Sequence, residues 1–513
     1  MEADDPLPVH RDPHPVGDSY DVSVSFQVPV SSSESAIGPR PMPSVDAGAQ
    51  EQVKYTIVNG GSKRGKPILT DTRGYRYNQK PADKRCSSSR TVWTCSVRRK
   101  GLCCLAKVYE SEDGFVPGPQ PHTHTAEPGQ DQAAEIVAEV KKRAAEQVFV
   151  PANTIAEDVL LDMIKPDALP ASLPCQANIV RYANRHRQRN RPCHPQTLDF
   201  EVQDAFIPDD FLLADVFIDG ARHFIFATND QHQLLQKANF LYADGTFKLV
   251  KDPFYQLFSI HAFIQQDDSV RQVPLLFAIM SRRRRQDYVE VLSSVKDHIT
   301  ALCVQKITLD FEQALWAAVR EVLPGVEIQG CVFHWTQAVF RKVVDLGFKV
   351  PYQTSGAIHE YIRQLLALPF LPAEHIPAMF GTLSGNATPP LQPLVDYIRT
   401  TWIENPTWPV TSWSIFGVVV RTNNDVEGWH NRINARGPNL NFYRLVELLH
   451  REARIVTLQT QLVGQNKLSR AHRTVYKQVQ AKLEKLWQRY RERQITTGHL
   501  LRACSRLYGP IDV

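Results

Sequence analysis

No stretch of this 513-residue sequence approaches the roughly 20 consecutive apolar residues of a membrane-spanning helix. That excludes a helical membrane span. Cysteine is sparse, nine residues spread over the whole length, which excludes a dense disulfide scaffold. No apolar leader follows Met1, so the expectation is a soluble chain in a reducing, intracellular compartment. Internal repeats are absent as well. Net charge is also low at +5, but it is unevenly distributed. Residues 1–50 hold eight acids against Arg11 and Arg40, so the remaining body carries a net +11. A basic body is suited to phosphate neutralisation and points to nucleic acid, although a normally solvated surface gives the same count.

What is present divides along the chain. Residues 1–50, rich in Pro, Ser, Asp and Glu, read as a disordered tail. Residues 51–127 alternate short β-type runs (KYTIV, KPILTD, GYRYN, RTVWTCSV, LCCLAKVY) with Gly, Asp and Asn turns, which predicts a small β-rich unit. Residues 133–237 read as a helical, basic region. Its most basic stretch, QANIVRYANRHRQRNR, carries Arg181, Arg185, Arg187, Arg189 and Arg191 without an acid. Residues 238–347 alternate clearly: three β-runs, a helix, the strand KITLD, a helix, the strand VEIQGCV and a helix. Short connections favour an antiparallel meander for the first three strands. The helical crossover then favours a parallel fourth strand. Set beside the first strand, it brings Asp244 and Asp310 together. This order is that of the ribonuclease H-like α/β fold. Residues 348–420 read as a helical insertion holding Trp402, Trp408 and Trp413, whose expected role is core packing. Residues 421–463 complete the core, and 464–513 form a basic helical tail.

Three acids stand in chemically suggestive settings: Asp244 in FLYADGTFK, Asp310 in KITLDFEQAL and Glu427 in TNNDVEGWHNRIN. Each has an ordinary explanation alone, as a turn residue, a helix cap or a first-turn acid. Together they are what a pair of hard divalent cations needs, oxygen ligands converging from distant points of the chain. Asp425 is a rival for the third position. Glu427 is preferred because it shares a helix face with His430, Asn431 and Asn434 at i+3, i+4 and i+7.

With GCVFHWTQAV between the last two motifs, these four segments in order resemble the transposase domain of Mutator-like elements, the MULE transposases, over roughly residues 240–440. The resemblance implies a DDE-type catalytic core in which Asp244, Asp310 and Glu427 hold two Mg²⁺ or Mn²⁺ ions that activate cleavage and transfer of DNA strands. It also implies DNA as partner, a homo-oligomer when active, and a nuclear location. Cys331 and His334 form the family's C-x₂-H motif; with His430 and Asn431 they are accessory candidates. The alternative is a domesticated, transposase-derived DNA-binding transcriptional regulator without catalysis. A nuclease of RNA–DNA hybrids fits less well, because it needs neither the β-rich unit nor the insertion.

In residues 54–124, TVWTCSVRRKGLCCLAKV followed by HTH resembles a FLYWCH-type zinc finger. The resemblance implies Trp93 as core aromatic, Cys95 and Cys104 as thiolates, and His122 and His124 as imidazoles around a structural Zn²⁺. Cys103 competes with Cys104 for the second thiolate, and Cys86 is a weaker substitute for Cys95. Lys63, Arg64, Arg76, Arg98 and Arg99 on this unit, and Arg181, Arg185 and Arg189 on the helix beyond it, are the expected DNA contacts. The run Arg282–Arg285 is a further candidate, for guiding DNA or for nuclear import.

Overall fold

The computed structural model describes residues 53–62, 65–80, 91–99, 101–164, 170–266, 269–299, 302–418, 424–465 and 474–508. The tail 1–50, Lys63, Arg64 and Cys86 lie outside the described residues.

The first unit is all β. Strands β1 (Tyr55–Val58), β2 (Ile68–Asp71), β3 (Arg76–Gln79), β4 (Thr91–Cys95), β7 (Lys107–Ser111) and β8 (Gly114–Pro117) pair antiparallel in that order. A two-stranded ribbon, β5 (Arg98–Arg99) with β6 (Leu102–Cys103), stands apart from them. The core of this unit is small: Leu69, Tyr77, Trp93, Cys95, Cys104, Ala106 and Val108. Helices α1 (Gln130–Glu146), α2 (Ala152–Met163) and α3 (Gln176–Asn190) follow, packed through Ile136, Val140, Ile155, Val159 and Ile179. Lys141 of α1 joins the two units, its buried ammonium donating to the carbonyls of Gly60 and Ser62 at 2.8 and 2.6 Å.

Among the described residues the central sheet has seven strands, in the order β15 (Glu327–Gly330), β14 (Lys306–Leu309), β11 (Phe240–Thr246), β12 (Gln256–Gln266), β13 (Ser269–Met280), β10 (Ala221–Phe226) and β9 (Leu212–Ile218). Strands β11 (Phe240–Thr246), β12 (Gln256–Gln266) and β13 (Ser269–Met280) form the expected antiparallel meander. The strand β14 (Lys306–Leu309) lies parallel to β11, and β15 (Glu327–Gly330) lies parallel to β14. Crossover helices α5 (Arg285–His298) and α6 (Gln313–Val322) cover one face, packing Tyr288, Val291, Val295, Trp316 and Val319 against the sheet. The helix α7 (Val332–Asp345) leaves β15.

The sheet also corrects the helical reading of residues 133–237. Strands β9 (Leu212–Ile218) and β10 (Ala221–Phe226) form a hairpin whose second strand pairs with β13. Asp219 and Gly220 make its turn with φ of 47° and 72°, the left-handed pair that a two-residue hairpin loop requires. In residues 207–237 only α4 (Asn229–Lys237), begun by a Thr228–Gln231 capping box, is helical.

The opposite face of the sheet carries α13 (Asn424–Asn434) and α14 (Phe442–Gly464), which bury Trp429, Ile433, Phe442, Val446 and Leu449 against Phe224, Leu257, Phe277 and Ile279. Glu452 of α14 ties the two helices together. It accepts from Trp429 Nε1 at 2.9 Å and from Arg432 through both carboxylate oxygens. Between α7 and α13 stands the helical insertion, α8 (Lys349–Thr354), α9 (Gly356–Leu366), α10 (Ile376–Gly385), α11 (Gln392–Ile398) and α12 (Val410–Trp413). Trp335, Trp402 and Trp413 are core residues there, and Trp408 packs against them. The C-terminal helices α15 (Thr474–Arg491) and α16 (Thr497–Leu507) share this core through Leu483, Trp487, Leu500 and Leu501. What reads in sequence as a separate basic tail is therefore a wall of the insertion.

Candidate functional site

Strand periodicity decides where the acids point. Leu241 and Ala243 of β11, and Ile307 and Leu309 of β14, belong to the core under α5 and α6. Side chains alternate along a strand, so Asp244 and Asp310 turn to the other face, toward α13. The parallel register pairs Phe240, Leu241 and Tyr242 with Lys306, Ile307 and Thr308, and the same offset carried forward sets Asp310 level with Asp244. Two carboxylates from adjacent strands thus meet beneath a helix that carries a third.

A carboxylate oxygen of Asp244, a ring nitrogen of His334 and a carboxylate oxygen of Glu427 lie within 4.8 Å of one another. Asp310 falls outside this tightest set but remains electrostatically bound to it. Asp244 is pushed well above the usual carboxylate range, by desolvation first and then by the charge of Asp310. Asp310 is raised by its own burial and by Glu427, with His334 and Arg283 opposing. Asp244 Oδ1 accepts from the Gly245 amide at 2.8 Å, while its Oδ2 and Asp310 Oδ1 are buried and accept no hydrogen bond. Buried acceptors of this kind are costly unless a cation or a donor serves them.

His334, in the first turn of α7, is the local cation. Desolvation pulls its pKa down, but Cys331, Glu427 and Asp244 outweigh that and raise it to about 11. Its Nε2–H donates to Glu427 Oε1 at 3.0 Å, and this contact leads the effects holding Glu427 below its usual range. Cys331 is buried at the cap of α7, in contact with His334. Gly330 before it admits the Phe311 ring; a Cβ there would sit 2.3 Å from Phe311 Cζ.

His430, one turn after Glu427, lies behind Asp244, with Nδ1 3.7 Å from Oδ2. Its Nε2 faces Ser259 Oγ at 3.4 Å, and that hydroxyl is 2.9 Å from His261 Nε2. Burial pulls His430 down to about 4, so the imidazole is neutral near pH 7. Asn434 reaches Thr246 Oγ1 at 3.1 Å, whereas Asn431 is exposed. Asp425 lines a separate 240 Å³ cavity with Arg271, Gln272, Arg432 and Glu452.

Sequence reasoning missed Glu312, two residues after Asp310. Its carboxylate accepts from Tyr288 Oη at 3.1 Å, and burial and then Asp310 raise its pKa to about 7. It also missed Ser259 and His261. They stand in an apolar run, and their polar side chains at alternate positions were the available signal.

A second cluster lies in the β unit. Cys95 Sγ is 3.2 Å from His124 Nε2, Cys104 Sγ is 3.4 Å from His122 Nδ1, and the two ring nitrogens are 3.4 Å apart. Tetrahedral Zn²⁺ with its usual bond lengths separates neighbouring ligand atoms by about 3.3–3.8 Å, the thiolate pairs at the upper end. The other ring nitrogens are engaged in a way that presents these lone pairs inward. His122 Nε2 lies 2.9 Å from Tyr77 Oη, which donates to Asp71 at 3.0 Å and so accepts from the imidazole. His124 Nδ1 donates to the Thr125 carbonyl at 2.9 Å. Desolvation, then His124, holds His122 near 4, neutral as a metal ligand must be. Cys103 is exposed, which separates it from the buried Cys104.

Of the basic candidates, Arg98 and Arg99 are exposed and line a groove of about 670 Å³ with Lys66, Arg76, Asn78 and Gln79. Arg76 is half-buried and donates to the Gly61 carbonyl at 3.1 Å. Arg181, Arg185 and Arg189 form an exposed row on α3. None of the described helices is long and apolar enough to cross a membrane.

No curated protein matches this chain at a significant level. Residues 240–338, from β11 through the first half of α7 and so including Asp244, Asp310, Cys331 and His334, match the family model of the MULE transposase domain.

Proposed function

We propose that this chain is a DNA transposase-like protein. In this reading a FLYWCH-type zinc finger docks on DNA, and a ribonuclease H-like core carries a two-metal DDE centre that cleaves and transfers strands. The observation that carries it is the convergence of Asp244, Asp310 and Glu427 from β11, β14 and α13, inside and beside the matched domain. The donor set is all oxygen and includes two buried acceptors without hydrogen bonds, as hard cations require.

When bound, a divalent pair supplies an activated water and charge stabilisation at the leaving oxygen. The chain's residues do the rest. Asp244, whose carboxyl feels the charges of both Asp310 and Glu427, would hold the ions together with those two residues. Trp316 Nε1 holds the Asp310 carbonyl at 2.6 Å and fixes the strand end. His334 keeps Glu427 oriented and adds positive charge where a phosphodiester approaches. The Cys95, Cys104, His122 and His124 cluster would hold Zn²⁺ as a structural ion, stabilising a unit whose own core is small. Its basic groove supplies the DNA contacts.

The test is strand cleavage of end-labelled duplex oligonucleotides with Mg²⁺ or Mn²⁺. The active protein yields product, and Asp244→Asn abolishes it while DNA binding persists. A transposase-derived regulator gives binding that is indifferent to divalent ions and no product under any condition.

A further inference from the structure

Three side chains at the acidic end of the central sheet have no part in the chemistry above. Phe247 follows β11, Tyr255 immediately precedes β12, and Arg283 lies just beyond β13. Antiparallel pairing sets Thr246 opposite Leu257 and Gln256 opposite Met280, so the three cap neighbouring strand ends. Phe247 is 47% exposed and Tyr255 43%, although rings of this size usually bury. They touch edge to face, centroids 5.4 Å apart. The Arg283 guanidinium stands 5.6 Å from one ring centroid and 5.5 Å from the other.

The four-arginine run separates at this point. Arg282 donates to the Asp219 carbonyl, Arg284 forks onto Asp287, and Arg285 pairs with Glu321. Arg283 instead turns to the acids: it is 4.0 Å from Glu312, and its charge opposes the rise of the Asp310 pKa. An exposed aromatic pair, a cation over both rings and the carboxylates of Glu312 and Asp310 are therefore contiguous.

We infer that Phe247, Tyr255 and Arg283 form a platform for one unpaired nucleobase of the strand whose phosphate enters the Asp244–Asp310 centre. The inference rests on the DNA-cleaving reading and adds a substrate feature to it, single-strandedness beside the scissile phosphate. Every base offers a π face, so aromatic side chains hold unpaired bases without regard to sequence. Arg283 adds a cation–π contact and a forked donor for the neighbouring phosphate. A base inside a duplex has both faces occupied by its neighbours and gains nothing from such a platform.

The experiment compares two DNA ligands for the full-length protein, a blunt duplex and the same duplex with a short single-stranded overhang bearing 2-aminopurine at the junction. Ca²⁺ replaces Mg²⁺ to suppress cleavage. Wild type is expected to prefer the overhang about 5- to 150-fold, the range one base stack contributes, and to quench the 2-aminopurine emission. Phe247→Ala with Tyr255→Ala loses both the preference and the quenching while keeping wild-type affinity for blunt duplex; Phe247→Trp retains them. Because both rings are exposed, thermal melting of the variants should match wild type. Overhang preference and quenching that survive the double substitution overturn the platform, as does a wild type that binds blunt duplex and overhang equally. A wild type that binds neither ligand overturns the DNA reading itself, and the platform with it.

Discussion

Replacing Tyr77 by Phe removes a single oxygen from the β-rich unit and tests whether His122 and His124 are metal ligands. The Tyr77 ring is 1% exposed and the phenylalanine ring occupies the same space, so packing is conserved. What disappears is the hydroxyl between His122 Nε2 and Asp71. Burial, and then the charge of Asp71, hold that phenol protonated, so it is a permanent donor to Asp71 and acceptor for His122. Without it the His122 tautomer with Nδ1 free is no longer selected. Losing an outer partner of a metal-bound histidine weakens metal affinity roughly 10–100-fold, about 1.4–2.7 kcal/mol. Asp71 keeps Arg73 at 2.6 Å, so the carboxylate is not orphaned and the fold at saturating zinc should be intact. Competition against a chromophoric zinc chelator measures the affinity, and circular dichroism at saturating zinc verifies the fold. Equal zinc affinity in wild type and Tyr77→Phe would refute the reasoning.

Three further outcomes follow from packing and charge. Glu452→Ala leaves Trp429 Nε1 without its buried acceptor, while the half-exposed Arg432 guanidinium recovers solvent; unfolding by urea should show a loss of roughly 1–3 kcal/mol, and no measurable loss would contradict the tie. Gly330→Ala drives a methyl into the Phe311 ring beside Asp310; the expected loss is about 1–3 kcal/mol, read from the same denaturation curves, and wild-type stability would contradict the close approach. Burial, and then the charge of Arg76, pull the Lys141 ammonium from 10.5 down to about 8. Between those values the unfolded chain binds a proton the folded one does not, so stability gains from this group as pH rises from about 8 to 10.5. Lys141→Met should lack that gain in paired denaturation curves, and an identical pH slope in both proteins would count against it.

Much of the core was legible because its signals are local. Short loops between apolar runs specify antiparallel neighbours, a helical crossover specifies a parallel strand, and alternation along FLYAD and KITLD then aims both aspartates at one face. The helix face joining Glu427, His430 and Asn434 was legible for the same reason, although Asn431 at i+4 points to solvent. The β9–β10 hairpin was missed despite its Asp219–Gly220 turn, because β10 is buried along its whole length and ARHFIF shows little alternation. The tail was misjudged because its charge count hid Leu483, Trp487, Leu500 and Leu501, which face a core built some hundred residues earlier. His334 joining the tightest acidic cluster depends on the angle at which α7 leaves β15, which no sequence pattern encodes.

Anomalous diffraction from crystals soaked in Mn²⁺ decides whether Asp244, Asp310 and Glu427 together hold a pair of divalent ions. Two peaks roughly 3.5–4 Å apart, both within reach of all three carboxylates, are the expected result. A single peak held by Asp244, His334 and Glu427 with Asp310 uninvolved, or no peak at all, would contradict it.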